Sequence, residues 1–141
     1  MSCKTLLVER NGVAISVTQW DATTGLSKLE SILEVMGDTA LPLILGEGAF
    51  PNFLSIVRRK GSIPLMQDLI TTATVAVEGV PVSSSNFEEL VNTNYQLVFD
   101  LLSVVLEVNF RTFFEQGLNS LTPEGTVEKE TESSTMTSET N

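Results

Sequence analysis

LLSVVLEVNFRTFFEQ, residues 101–116, is the most apolar part of the chain, yet it carries a carboxylate at Glu107 and an amide at Asn109. With Leu97 and Val98 just upstream, Leu101, Leu102, Val104, Val105, Leu106 and Val108 cover most of a helical circumference. A helix so widely apolar must be central or must meet another chain. Asp100, Ser103, Glu107 and Arg111 are spaced so that they share one narrow stripe. The spacing predicts that this stripe, Glu107 included, faces solvent and that Glu107 pairs with Arg111 at i,i+4, for about 0.2–0.5 kcal/mol. Asn109 falls off the stripe and stacks with Val105 and Leu102 on the apolar side. An amide buried there without partners costs about 1–3 kcal/mol. It either kinks or caps the helix before Phe110, Phe113 and Phe114, or reaches the backbone of a partner. The structural role is preferred, because asparagine is a common cap and the aromatic residues then lock the helix end.

Working outward, Asn11-Gly12 stands between TLLVE (5–9) and VAISVT (13–18). Asn-Gly supplies the positive φ angles of a tight two-residue turn, which predicts a β-hairpin over 5–18. A lone hairpin is marginal, so its apolar face must pack on helices or on another chain. Trp20 follows, either as a packed cover for the hairpin or as an exposed anchor for a partner. Leu29, Ile32, Leu33 and Met36 recur at helical spacing, with Gly37 as a stop. Further helices are predicted over 39–45, over 51–60 and from Pro64 to about Val77, the last closed by Gly79. Ser85-Asn-Phe-Glu88 matches a capping box and predicts a helix that bends near Asn92-Thr-Asn94 and runs on to Gly117.

The expected fold is therefore α+β and mostly α: a hairpin, then a compact bundle of about four to five helices over 23–121, forming one globular domain over 1–121. Residues 122–141 hold nine Ser or Thr and five Glu, with Val127 and Met136 the sizeable apolar side chains. Such a segment buries too little to offset its ordering entropy and is expected to be a disordered acidic tail.

Composition excludes more than it assigns. The chain has no histidine and one cysteine, Cys3, so Ser-His and Cys-His catalysis, cysteine-based zinc sites and intrachain disulfides are all out of reach. No phosphate-loop or dinucleotide-binding motif occurs; Gly46-Glu47-Gly48 is a fragment with a negative charge where a phosphate would sit. The pairs Glu88–Glu89 and Asp100–Glu107 could in principle share acid–base work, but Glu88 and Glu89 suit a first helical turn, where the dipole favours negative charge. A formal charge of −10 argues against nucleic acid and anionic membrane as partners. Arg58-Arg59-Lys60 is the one basic cluster; it ends a predicted helix and could take an acidic partner segment. The run 97–108 is shorter than the ~20 residues needed to span a bilayer, and the N-terminus lacks signal-peptide character. No enzyme, cofactor or metal is expected.

The order of hairpin, variable helices, capped FEELV (87–91) and LLSVVLEVNFRTFF (101–114) resembles the tail assembly chaperones of tailed bacteriophages, many of which end in an apolar helix of the form V-L-E-V-N-x-x-F-F before a polar tail. The matching residues are Val105, Leu106, Glu107, Val108, Asn109, Phe113 and Phe114, with three residues rather than two before the aromatic pair. The resemblance implies a helical, non-enzymatic phage protein of the host cytoplasm that holds the long tape-measure protein soluble while tail-tube subunits assemble. It also implies that a longer form can arise by ribosomal frameshifting. The expected partner is thus a tape-measure or tail protein, with homo-oligomers possible. Candidate partner-binding residues are Trp20, Leu102, Val105, Asn109, Phe110, Phe113 and Phe114. The alternative is a small structural subunit of the particle, in the tail or head-to-tail connector, that uses its hairpin to extend a neighbour's sheet.

Overall fold

A computed structural model describes residues 4–121; the expected tail over 122–141, and Cys3, lie outside the described residues. The hairpin forms as the Asn-Gly signal predicts: β1 (Thr5–Arg10) pairs antiparallel with β2 (Val13–Thr18), and Asn11 and Gly12 both take positive φ. Helices follow as α1 (Ala22–Met36), a 3-10 turn (Gly37–Ala40), the single turn α2 (Leu41–Ile44), α3 (Phe50–Val57) and α4 (Ser62–Thr72). A second hairpin comes next, β3 (Val75–Val77) and β4 (Val80–Pro81), before the short α5 (Phe87–Val91) and the long α6 (Tyr95–Leu121). The fold is mostly helical with an N-terminal antiparallel hairpin, as expected, and β3 and β4 extend that hairpin into one antiparallel sheet of order β1-β2-β3-β4.

Four expectations about boundaries are corrected. Val75 and Val77 are strand residues, not the end of α4. Thr74 turns the chain at φ +49°, after which β-branched side chains alternate with Ala76, and Glu78-Gly79 repeats the two positive φ angles of Asn11-Gly12 as a tight turn, not a helix stop. Ser85 does not make a capping box. Asn86 closes this loop instead, its Oδ1 accepting from the Ser83 amide (2.7 Å) and its Nδ2 donating to the Pro81 carbonyl (2.8 Å), while Ser85 Oγ shares a hydrogen bond with Ser83 Oγ. Gly117 does not end α6, which continues to Leu121; glycine stops a helix when it takes left-handed φ just past the last turn, and Gly117 does not take it. The expected bend at 92–94 is a full break. Asn92 and Thr93 both have positive φ, and Asn94 Oδ1 then accepts from the Leu97 amide to start α6.

The register places Ile15 opposite Val77 and Val17 opposite Val75, so these four buried residues share one face of the sheet. The other face presents Thr5, Leu7 and Glu9 to solvent. Leu101, Leu102, Val104, Val105 and Leu106 of α6 are at most 1% exposed, as a helix apolar on nearly every side requires. Ile32 and Met36 of α1, Ile56 of α3 and Leu69 and Ile70 of α4 complete the core. Packing divides the chain into one unit ending at Arg111 and a second beginning at Thr112. In the second, Phe113 and Phe114 meet edge to face at 5.7 Å, and Phe113 and Leu118 are exposed.

Asp21 caps α1, accepting from the Thr24 amide at 2.8 Å, and this bond holds its carboxyl below the ordinary value of 3.8. A depressed folded-state pKa contributes stability above the unfolded value, and the contribution is lost as pH falls through the folded one. Asp21→Ala is therefore expected to unfold at lower temperature than wild type at neutral pH. The difference should narrow as the pH is taken below 3.8, followed by thermal unfolding monitored by circular dichroism.

Candidate protein-binding site

The stripe on α6 is correctly drawn by helical spacing but faces the opposite way from the expectation. Asp100 is 5% exposed and Ser103 9%. The Glu107 side chain is 16% exposed. Asn11 Nδ2, at the tip of the first hairpin, donates to Asp100 Oδ2 at 2.9 Å, and Gln96 Nε2 donates to the other carboxylate oxygen at 3.0 Å. Arg10 Nη2 donates to Glu107 Oε1 at 3.0 Å, a closer partner than Arg111, whose predicted i,i+4 pairing is present at 3.9 Å. The loop at Gly46 closes on the same pair. Gly46 has φ +78°, which strains any side chain there, and a Cβ at that position would come 2.9 Å from Arg111 Nη1 and push the arginine tip aside. The stripe is thus the seat of the hairpin. Periodicity finds residues that share a face, but on a helix apolar all round it cannot tell which face meets water.

Asn109 has both partners that a half-buried amide requires. Its Oδ1 accepts from the Trp20 backbone amide (2.9 Å) and its Nδ2 donates to the Val105 carbonyl (3.0 Å), while Gln19 Nε2 donates to the Val108 carbonyl alongside. Trp20 packs its ring 6.0 Å from that of Phe110 and donates Nε1 to the Thr72 carbonyl. Of the candidate partner-binding residues, Trp20, Asn109 and Phe110 are therefore brought together at the foot of the hairpin. Leu102 and Val105 lie fully inside the core. Phe113 and Phe114 belong to the second unit.

An exposed apolar face lies elsewhere in the first unit. Phe50, Leu54 and Val57 follow at i, i+4 and i+7 along α3 and are 65%, 45% and 37% exposed, while Ile56 on the other side of the same helix is fully buried. Both sides of α3 are apolar, and one has no partner among the described residues. Ile63 and Met66 of α4, Phe87 and Val91 of α5, and Tyr95 and Val98 of α6 join this stripe to form an open groove of about 620 Å³. Phe53, on the α3 wall, packs its ring 5.0 Å from that of Phe99 at a 45° tilt, which fixes that wall against α6. The polar rim includes Gln67, whose Nε2 donates to Glu88. Contiguous exposed apolar surface of this kind marks protein or ligand binding in a soluble fold. Sequence reading missed it because the stripe has the spacing of an ordinary core-facing helix. The exposed signal was the short length of α3 against its number of large apolar side chains.

Among the described residues, no group of three or more His, Cys, Asp or Glu could hold a metal ion, and no helix is long and apolar enough to cross a membrane. Residues 11–122 match the family described as phage tail assembly chaperone protein, TAC. The chain belongs to this family. The match takes in the break at Asn92, the whole groove and all of α6, so the surface described above lies within the matched residues. Neither curated proteins nor solved structures gave a match.

Removing the Asn109 amide strips the Trp20 N–H of its acceptor. Asn109→Ala is expected to cost about 1–3 kcal/mol in urea unfolding, with Asn109→Asp recovering part of the loss because it keeps the accepting oxygen.

Proposed function

We propose that the protein is a non-enzymatic adaptor that takes apolar helical segments of the phage tape-measure protein into the α3–α6 groove, in the host cytoplasm. It would hold that long partner soluble until tail-tube subunits close around it. Membership of the tail assembly chaperone family supports a role in tail assembly. The observation that carries the reading is the open α3 stripe of Phe50, Leu54 and Val57, facing a groove walled by three other helices. An amphipathic helix laid into such a groove presents its own i, i+3, i+4 and i+7 positions to it, a recurring mode of helix recognition. Trp20, Leu102, Val105, Asn109 and Phe110 then contribute from behind by holding α6 and the hairpin in place, and in the second unit Phe113 offers a separate exposed ring, set edge to face against the half-buried Phe114.

Co-expression with the tape-measure protein tests this. Leu54→Asp with Val57→Asp, at exposed positions, is expected to leave folding stability within about 0.5 kcal/mol of wild type and to abolish recovery of soluble tape-measure protein. Leu102→Asp, by contrast, is expected to prevent folding outright, because it places an unpaired charge in the core. Finished particles examined by mass spectrometry should lack the protein; stoichiometric copies there would favour a structural subunit that pairs through the open edge of β1.

A further inference from the structure

The sheet has one open edge, and we infer that it is a contact between two copies of this chain, paired antiparallel through β1 about a two-fold axis at Leu7. The Gln19 amide donates to the Lys4 carbonyl, while the Thr18 amide turns the other way to Thr74 and the Ala14 carbonyl accepts from Glu78. Antiparallel ladders alternate, so Leu6, Val8 and Arg10 bond to β2, and the amides and carbonyls of Thr5, Leu7 and Glu9 point out of the sheet. No hydrogen bond within the described residues uses them. Exposed edges are normally guarded by a proline, a bulge, a charge at mid-strand or a covering segment. Among the described residues β1 has none of these at its centre: its six residues keep unbroken register, Leu7 is 73% exposed, and Leu6 on the opposite face is 41% exposed. The far edge is guarded. There β4 is two residues long and holds Pro81, whose carbonyl accepts from Asn86 Nδ2.

A second copy is the occupant because the edge is complementary to itself. With the axis at Leu7, every outward amide and carbonyl finds a partner: Leu7 faces Leu7 of the second copy, and Thr5 faces its Glu9 in both directions. On the outer face the two leucines then meet, and the Thr5 hydroxyl, which shares a 2.8 Å bond with Thr18 Oγ1, lies beside the Glu9 carboxylate of the second copy. On the inner face Leu6 meets Val8 of the second copy, so the apolar side of the sheet, with Ile15 and Val17, continues across the contact. An axis at Leu6 or at Val8 would leave Glu9 or Thr5 beyond the end of the partner strand. The ends oppose pairing, since Lys4 faces Arg10 of the second copy, although Glu107 holds that guanidinium at 3.0 Å. A two-fold contact uses up the open edge, so assembly stops at two chains. One strand pair is a small interface, so the dimer is reversible, with Kd on the order of 10 µM. It uses no residue of the groove and is independent of the groove's role.

Sedimentation velocity of the full-length protein over about 1 to 300 µM tests this, with the mass expected to rise from 15.3 kDa toward twice that value. Two chains of formal charge −10 repel, so the rise is expected at lower concentration in about 0.5 M salt than in about 0.05 M. Leu7→Pro removes only an outward amide, and Leu7→Lys sets like charges across the axis; both are expected to stay folded by circular dichroism and to remain at single-chain mass. If the proline variant unfolds, the lysine variant carries the test. Leu54→Asp with Val57→Asp, in the groove, is expected to dimerise like wild type. Register is read by cross-linking in a Cys3→Ser background with a thiol reagent of about 5 Å span. Leu7→Cys, about 5.5 Å from its equivalent, is expected to be joined, and Glu9→Cys, about 14 Å from its own, is expected to stay single. Single-chain mass at every concentration, growth beyond two chains, dimers that persist in the folded Leu7 variants, dimers lost on changing the groove, or joining of Glu9→Cys in place of Leu7→Cys would overturn the inference.

Discussion

A helix that is apolar on almost every side can be buried, but the carboxylates it carries cannot be buried alone. That constraint organises the molecule. Asp100 and Glu107 lie on the inner face of α6, and an unpaired carboxylate there would cost several kcal/mol. The first hairpin meets both, with Asn11 and Arg10, and its exit meets the amide at Asn109 through the Trp20 backbone. None of these bonds is worth much as an isolated gain, since the net contribution of one hydrogen bond is about 0.5–1.5 kcal/mol. Their force is in specification: a hairpin shifted by one residue would turn Ile15 and Val17 outward and leave the carboxylates facing apolar surface.

With the sheet seated on that stripe, the remaining helices can cover only part of α6. The core side of α3 is satisfied by Ile56, fully buried, and by the tilted ring contact of Phe53 with Phe99. Its outer side is left with Phe50, Leu54 and Val57, and the break at Asn92-Thr93 turns α5 aside so that Phe87 and Val91 line a groove instead of extending α6 backward. The apolar groove is thus a consequence of how the core is closed. A chaperone of a structural partner needs this combination: a core rigid enough to stand alone and a second apolar surface that is not consumed by folding.

Much of the fold is legible in the residues, and what is not has physical reasons. Asn11-Gly12 announces the first hairpin because few other dipeptides tolerate two positive φ angles, and the breadth of apolar residues over 97–108 announces a buried helix. The second hairpin hides because Glu78-Gly79 after an apolar run reads equally as a helix end; the decisive cue is the alternation of Val75, Ala76 and Val77. Asn86 rather than Ser85 closes the loop before α5, a choice set by where Pro81 and Ser83 lie in space. The groove is least legible. Spacing groups Phe50, Leu54 and Val57 correctly, yet whether a stripe faces inward or outward depends on what the rest of the chain leaves uncovered. The family resemblance, carried by Val105 through Phe114, pointed to the role without pointing to this surface.

Amide hydrogen exchange of the full-length protein, free and bound to the tape-measure protein, bears most directly on the central claim that the core face of α6 is structural and the α3–α6 groove is the binding surface. The account predicts that amides from Leu101 to Val108 are strongly protected in the free protein and unchanged on binding, while new protection appears across α3, the first turns of α4 and α5. Weak protection of Leu101 to Val108 in the free protein, or binding protection confined to β1 or to the residues after Thr112, would contradict it.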